Sequence, residues 1–226
     1  MIVPEIFTVD GKQAALYRAR AAECPLVVMN SFTDEADRVL TELDKLAAPD
    51  FHLLSITGIS WEQDLTPWYC PALFANEADY SGGADEYLEL LAGEIIPRAK
   101  RLLDREPTFT AISGYSLAGL FALYSLYRCD AFSRAASMSG SLWYPNFISF
   151  IESTEMRSRP EKIYISLGDR ESRTSNPVLR TVQENTETAV GLYRRAGIDV
   201  TWELNPGNHF KNAALRSARG IKAIIS

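Results

Sequence analysis

Gly114-Tyr115-Ser116-Leu117-Ala118-Gly119 stands between an apolar run that ends at Ser113 and a longer apolar stretch that opens at Leu117. A serine hydroxyl is a weak nucleophile until a neighbouring base takes its proton. A Gly-x-Ser-x-Gly elbow lifts that hydroxyl above a sheet, and it presses together the residues two before and two after the serine, so both must be small. Gly114 meets the demand fully. Ala118 replaces the usual second glycine and is still small, and Gly119 adds room for helix–strand packing. The Leu117 backbone N–H opens the helix and points at the site, as an oxyanion donor should.

A base is needed next, and the chain has two histidines. His52 opens a strand, which puts it at the edge of the sheet away from the site. His209 follows the last strand in the turn-rich Asn205-Pro206-Gly207-Asn208-His209-Phe210 and comes last in the Ser…Asp/Glu…His order that accompanies such an elbow. The acid is sought after a strand end between the two, in Gly168-Asp169-Arg170-Glu171. Glu171 is the first choice because its longer side chain reaches further. Asp169 is the reserve, and a Ser116–His209 dyad is the third reading. The second oxyanion donor is expected from the loop after an early strand, with the backbone N–H of Ser31, or that of Phe32, as candidate.

The elements that must position these groups follow a βαβα order. Strand patterns cover Gln13 to Ala19 (a weak edge), Pro25 to Met29, Phe51 to Ile59, Thr108 to Ser113, Arg134 to Met138, Lys162 to Leu167 and Asp199 to Leu204. Helical patterns cover Asp34 to Leu46, Ala84 to Leu103 with a break near Pro97, Leu117 to Cys129, Phe147 to Ser153 and Ala213 to Ile225. Another starts at Asn176-Pro177, as N-cap and first turn, and stops at Gly197. That order implies an α/β fold with a mainly parallel central sheet and helices on both faces. In such sheets, ligands sit beyond the carboxyl ends of the strands. With the elbow, the expected architecture is the α/β-hydrolase fold, as one domain over residues 1–226.

The bulk properties are those of an ordinary soluble domain: 226 residues, 46% hydrophobic and 23% charged. A net charge of −6, with no long basic run, argues against nucleic acid as a partner. No apolar stretch reaches the ~20 residues of a bilayer span, so no membrane partner is expected. Cys24, Cys70 and Cys129 are odd in number and lack Cys-x-x-Cys spacing, which argues against a disulfide framework or zinc knuckle. No signal peptide is visible at Met1 to Glu5, and the expected location is the cytoplasm. The expected partner is a small-molecule ester. Nothing in the sequence speaks to oligomeric state.

Several segments together resemble the esterase family that includes esterase D, bacterial feruloyl esterases and the enterochelin (siderophore) esterases. They are Ile59 to Trp68 (ISWEQDLTPW), Gly114 to Ala122 (GYSLAGLFA), Ser166 to Glu171 (SLGDRE) and Asn205 to Phe210 (NPGNHF). The resemblance covers most of the chain after about residue 25. It implies Ser116 as nucleophile and His209 as base of an ester hydrolase working through an acyl-enzyme. Glu171 falls where many α/β-hydrolases carry the acid, usually as Asp. The short N-terminal part implies that strands preceding the core in larger relatives are missing.

Around these groups the chain offers an aromatic cleft. Trp61, Trp68 and Tyr69 belong to the long Ser60–Ser81 loop, Trp143 and Tyr144 follow Ser139-Gly140-Ser141, Tyr115 belongs to the elbow, and Phe210 adjoins the base. Stacking on an aromatic acyl group would be favourable there. Arg170 and Arg173 are candidates to meet a carboxylate or catecholate. No metal and no cofactor are expected. Two distant histidines do not make a metallohydrolase, and no Gly-rich phosphate loop is present. The remaining rivals are an acyltransferase on the same fold and an inactive pseudo-hydrolase that binds an aromatic ligand.

Overall fold

The computed structural model describes residues 3–21, 23–33, 35–157 and 159–226. Its frame is an eight-stranded sheet in the order β1-β2-β4-β3-β5-β6-β7-β8. The strands are β1 (Glu5–Val9), β2 (Lys12–Tyr17), β3 (Leu26–Asn30), β4 (His52–Thr57), β5 (Thr110–Tyr115), β6 (Arg134–Met138), β7 (Lys162–Gly168) and β8 (Asp199–Asn205). From β4 to β8 along the sheet all neighbours are parallel, while β1–β2 and β2–β4 are antiparallel. This is the α/β-hydrolase arrangement expected from the sequence.

β3 shows why such strands read as continuous apolar runs. Leu26, Val27 and Val28 are fully buried because helices cover both faces of the sheet. Each such side chain contributes about 1.5–3 kcal/mol relative to exposure. One face carries α1 (Ala36–Lys45) and α8 (Ala213–Ile225), packed on Val27, Met29, Leu53 and Ala111. The other carries α3 (Ala84–Leu90), α4 (Ile96–Leu102), α5 (Leu117–Arg128), α6 (Phe147–Ser153) and α7 (Val182–Arg195), packed on Val28, Leu54, Ile56 and Ile112. α2 (Trp61–Asp64) is a single turn in the long loop after β4.

Three departures from the sequence reading have local causes. β1 was not expected. It forms a hairpin with β2 through Asp10-Gly11, whose φ values of 44° and 74° suit a primed turn. The break placed near Pro97 is a widened π-turn over Leu91–Ile95, before a proline that cannot donate to the preceding helix. Asn176 accepts from the Val178 and Leu179 N–H groups, but a 3₁₀ turn at Leu179–Thr181 delays α7 to Val182. The expected helix start at Asp34 lies outside the described residues. No helix among the described residues is long and apolar enough to cross a membrane.

Chain order reverses at β3: the chain runs from β3 outward to β4 and returns on the other side to β5. That switch opens a crevice at the carboxyl ends of β3 and β5, the standard ligand position in an open α/β sheet.

Candidate active site

Ser116 sits at that crevice, between β5 and α5, with φ 60° and ψ −124°. A non-glycine residue in this region stores strain of order 1–3 kcal/mol and persists only where the surroundings hold it. Here the Ser116 N–H donates to the Met138 carbonyl, and its own carbonyl accepts from Gly119, Leu120 and Ser141. Gly114 makes the turn sterically possible, since a Cβ there would lie 2.2 Å from the Ala118 carbonyl oxygen and 2.6 Å from the Ala118 Cβ. Gly114→Ala is therefore expected to destabilise the chain by about 1–3 kcal/mol or more, read as a lower urea midpoint. An unchanged midpoint would contradict the close approach.

Ser116 Oγ lies 3.1 Å from His209 Nε2. His209 Nδ1 lies 2.7 Å from Glu171 Oε2. The histidine loop is held from several sides. Asp169 accepts the Gly207 N–H at 2.7 Å, Arg170 N–H donates to the Gly207 carbonyl, and the Tyr115 hydroxyl donates to the His209 carbonyl at 2.6 Å. Asp169, the reserve acid, thus fixes the turn before His209 and does not meet its ring. His52 lies at the first position of β4, where Nδ1 accepts the Ala19 N–H, and burial pushes its pKa down.

Glu171 is the most enclosed of the three chemical groups, its side chain only 4% exposed. Burial pushes its pKa up. Its bonds to His209, Ser139 and the Gly168 N–H outweigh that and hold the carboxyl below the usual glutamate range. Its Oε1 also faces Arg216 Nη1 at 3.1 Å. Arg216 comes from the first turns of α8 and is 2% exposed. Its guanidinium further donates to Ser139 Oγ at 3.0 Å, Tyr115 Oη at 3.3 Å and the Pro206 carbonyl at 3.4 Å. A buried cation thus sits behind a buried carboxylate, on the side away from the imidazole. The sequence reading missed it. The available signal was an arginine at i, i+4, i+8 spacing with Gly220 and Ile224 on the buried face of α8.

The candidate oxyanion donors divide. Leu117 borders the cleft, and its N–H has no acceptor among the described residues. Ser31 is a correction: its N–H donates to the Ile56 carbonyl at 2.9 Å, continuing the β3–β4 ladder, and its hydroxyl faces Ser55. That leaves the Phe32 N–H, which has no acceptor among the described residues; the Phe32 ring packs edge-on against Trp61 at 5.3 Å.

A cleft of about 460 Å³ opens over Ser116 and His209, and Trp61, Trp143 and Phe210 line it as expected. Phe74, Tyr80 and Ser141 line it as well and were not singled out. The other expected pocket residues lie elsewhere: Tyr69 is exposed and Tyr144 is buried in the core, both outside the lining. Trp68 is turned into the core, donating Nε1–H to the Pro145 carbonyl and packing on Tyr144 and Phe150. Tyr115 shares a strand face with Ala111 and points toward α8, behind the reacting groups. Arg170 is exposed and outside the lining, as is Arg173. The loop carrying Trp61 is pinned by a Lys12–Asp64 ion pair at 2.5 Å and by reciprocal backbone bonds between Cys70 and Tyr80.

Relatives agree with this architecture. The chain is 23% identical over 159 residues to the uncharacterized protein YbbA of Bacillus subtilis (strain 168), covering 69% of this chain. It is 39% identical over 71 residues to the iron(III) enterobactin esterase of Dickeya dadantii (strain 3937), covering 30% of this chain. The matched segments span 64% and 16% of those two relatives' own lengths. Among solved structures, an IroE-like serine hydrolase from Shewanella oneidensis superposes with a TM-score of 0.77 at 16% identity, over 93% of this chain and 74% of that one. The siderophore hydrolase EstB of Aspergillus nidulans gives 0.73 at 18%, over 98% and 94%. At such identities the likeness is one of fold. The family model described as "Putative esterase" matches residues 48–200, a stretch that contains both Ser116 and Glu171. With more than half of its length matched, this chain belongs to that esterase family.

Proposed function

We propose that the protein is a serine hydrolase of carboxylic esters, with Ser116 as nucleophile, His209 as base and Glu171 as the group that orients and balances His209. The observation that carries this reading is the continuous chain from Ser116 Oγ through His209 to Glu171, at 3.1 and 2.7 Å. In the first half-reaction His209 Nε2 takes the Ser116 proton as Oγ attacks the ester carbonyl. The carbonyl π electrons move to oxygen, which the Leu117 and Phe32 N–H groups receive. Collapse expels the alcohol, to which His209 returns the proton, and leaves an acyl-Ser116 ester. Water, deprotonated by His209, then attacks that ester, and the carboxylic acid departs as Ser116 regains its proton. Glu171 stays ionised throughout, in keeping with its lowered pKa.

The aromatic walls of the cleft support an ester with a flat or compact apolar group. Three cysteines without disulfides support work in a reducing compartment such as the cytoplasm. The test is direct. A fluorophosphonate probe is expected to label the purified chain on Ser116, and a short-chain aryl ester to be hydrolysed. Labelling without turnover in water, but with acyl transfer to an added alcohol or amine, would replace hydrolase with acyltransferase. Absence of both labelling and turnover would sink the reading.

A further inference from the structure

The lining of the cleft has a charge character that its aromatic walls conceal. Glu62 and Glu77 stand exposed at its rim, and Glu171 lies at its floor, whereas among the described residues no lysine or arginine lines it. Nearby cations are committed or turned away. Arg216 is spent on Glu171, Ser139, Tyr115 and Pro206, and Arg180 donates twice to the Thr174 carbonyl. Arg170, Arg173 and Lys211 stay outside the lining. A bound anion would therefore face carboxylates with no cation to pair with, which is costly in a partly desolvated site. A cation would meet aromatic faces and carboxylates together, both attractive.

Resting on the esterase reading above, we infer that the cleft takes an uncharged or cationic ester bearing an aromatic or compact apolar group, and discriminates against anionic esters, ferric catecholates included. Tyr80 adds support from the cleft wall. Its phenol is pushed up to about 12 by burial first, and then by the charges of Glu77, Cys70 and Glu62, so both rim carboxylates are felt at the wall. The geometry assigns the selectivity to Glu62 and Glu77, since Glu171 is already paired with Arg216 and hydrogen-bonded to His209.

The test is binding, read by tryptophan fluorescence, because Trp61 and Trp143 line the cleft. Three probes of similar size are titrated at low salt: phenyltrimethylammonium, tert-butylbenzene and benzenesulfonate. The cation is expected to bind at least about ten-fold more tightly than the anion, with the neutral probe between. The gap should shrink several-fold in about 0.5 M salt, where the screening length is near 4 Å. It should shrink likewise in the Glu62→Gln/Glu77→Gln double variant. Equal or tighter binding of benzenesulfonate overturns the inference, as does a gap insensitive to both salt and the double substitution, or no binding by any probe. Fluorophosphonate labelling on the same samples keeps the two ideas apart. Labelling of Ser116 with no charge ranking removes the selectivity alone, while ranking without labelling removes the esterase reading alone.

Discussion

Ser116→Ala is expected to lower kcat for an aryl ester by about four orders of magnitude or more, with KM little changed, because nucleophile and base act as a unit. His209→Ala should cost about as much. His52→Ala should leave kcat within a few-fold, because His52 lies at the amino end of β4 and spends Nδ1 on Ala19. The alanine at 116 inherits the same strained backbone, so thermal unfolding should be followed alongside. An inactive variant with a native melting transition isolates chemistry from folding. Retention of most activity by Ser116→Ala, or inactivity of His52→Ala, would overturn the assignment.

The second large effect concerns Glu171 and its buried counter-charge. Glu171→Gln is expected to reduce kcat by about two to four orders of magnitude, since an amide cannot balance the imidazolium and favours the wrong tautomer. Asp169→Asn should cost much less in kcat, because Asp169 holds the Gly207 N–H and not the imidazole. Arg216→Met removes the cation from a pair whose side chains are 2% and 4% exposed. Breaking such a pair costs about 3–5 kcal/mol, because the remaining charge is left buried. Denaturant titration measures this, and Arg216→Lys should recover part of it. The pH dependence has a definite sign. The folded carboxyl is held below its ordinary value of 4.5, so its stabilisation is present above that value and lost as pH falls through the folded one. The stability gap between wild type and Glu171→Gln should therefore be widest near neutrality and close at acid pH. A gap that widens on acidification, or equal kcat for wild type and Glu171→Gln, would move the acid elsewhere.

What could be read from the chain follows from which constraints are local. The elbow is legible because crowding of Gly114 against Ala118 is a contact between near neighbours. Central strands are legible because burial on two faces demands unbroken apolar runs. His209 and Glu171 are legible because chain order and strand ends place them. The errors concern tertiary facts. Nothing in the Ser31 side chain reveals that its N–H continues a ladder to Ile56. Trp68 has the right composition for a binding wall, and only the position of Pro145 decides that it faces inward. Two misses were readable in principle. Ala111, Ser113 and Tyr115 alternate onto one strand face, which sends Tyr115 toward α8 and away from the cleft. Asp10-Gly11 between strand-forming residues is a hairpin signal.

The place of Arg216 in the chain has a consequence in time. Ser116, Glu171 and His209 are all synthesised before α8, yet the cation that balances Glu171 arrives only when that last helix docks on the sheet. Without that helix, Glu171 would have its bonds to Ser139 and the Gly168 N–H but no cation to pair with. On the proposed esterase reading, full activity is therefore expected only once α8 has packed on its face of the sheet, so the appearance of turnover during refolding would report on that docking.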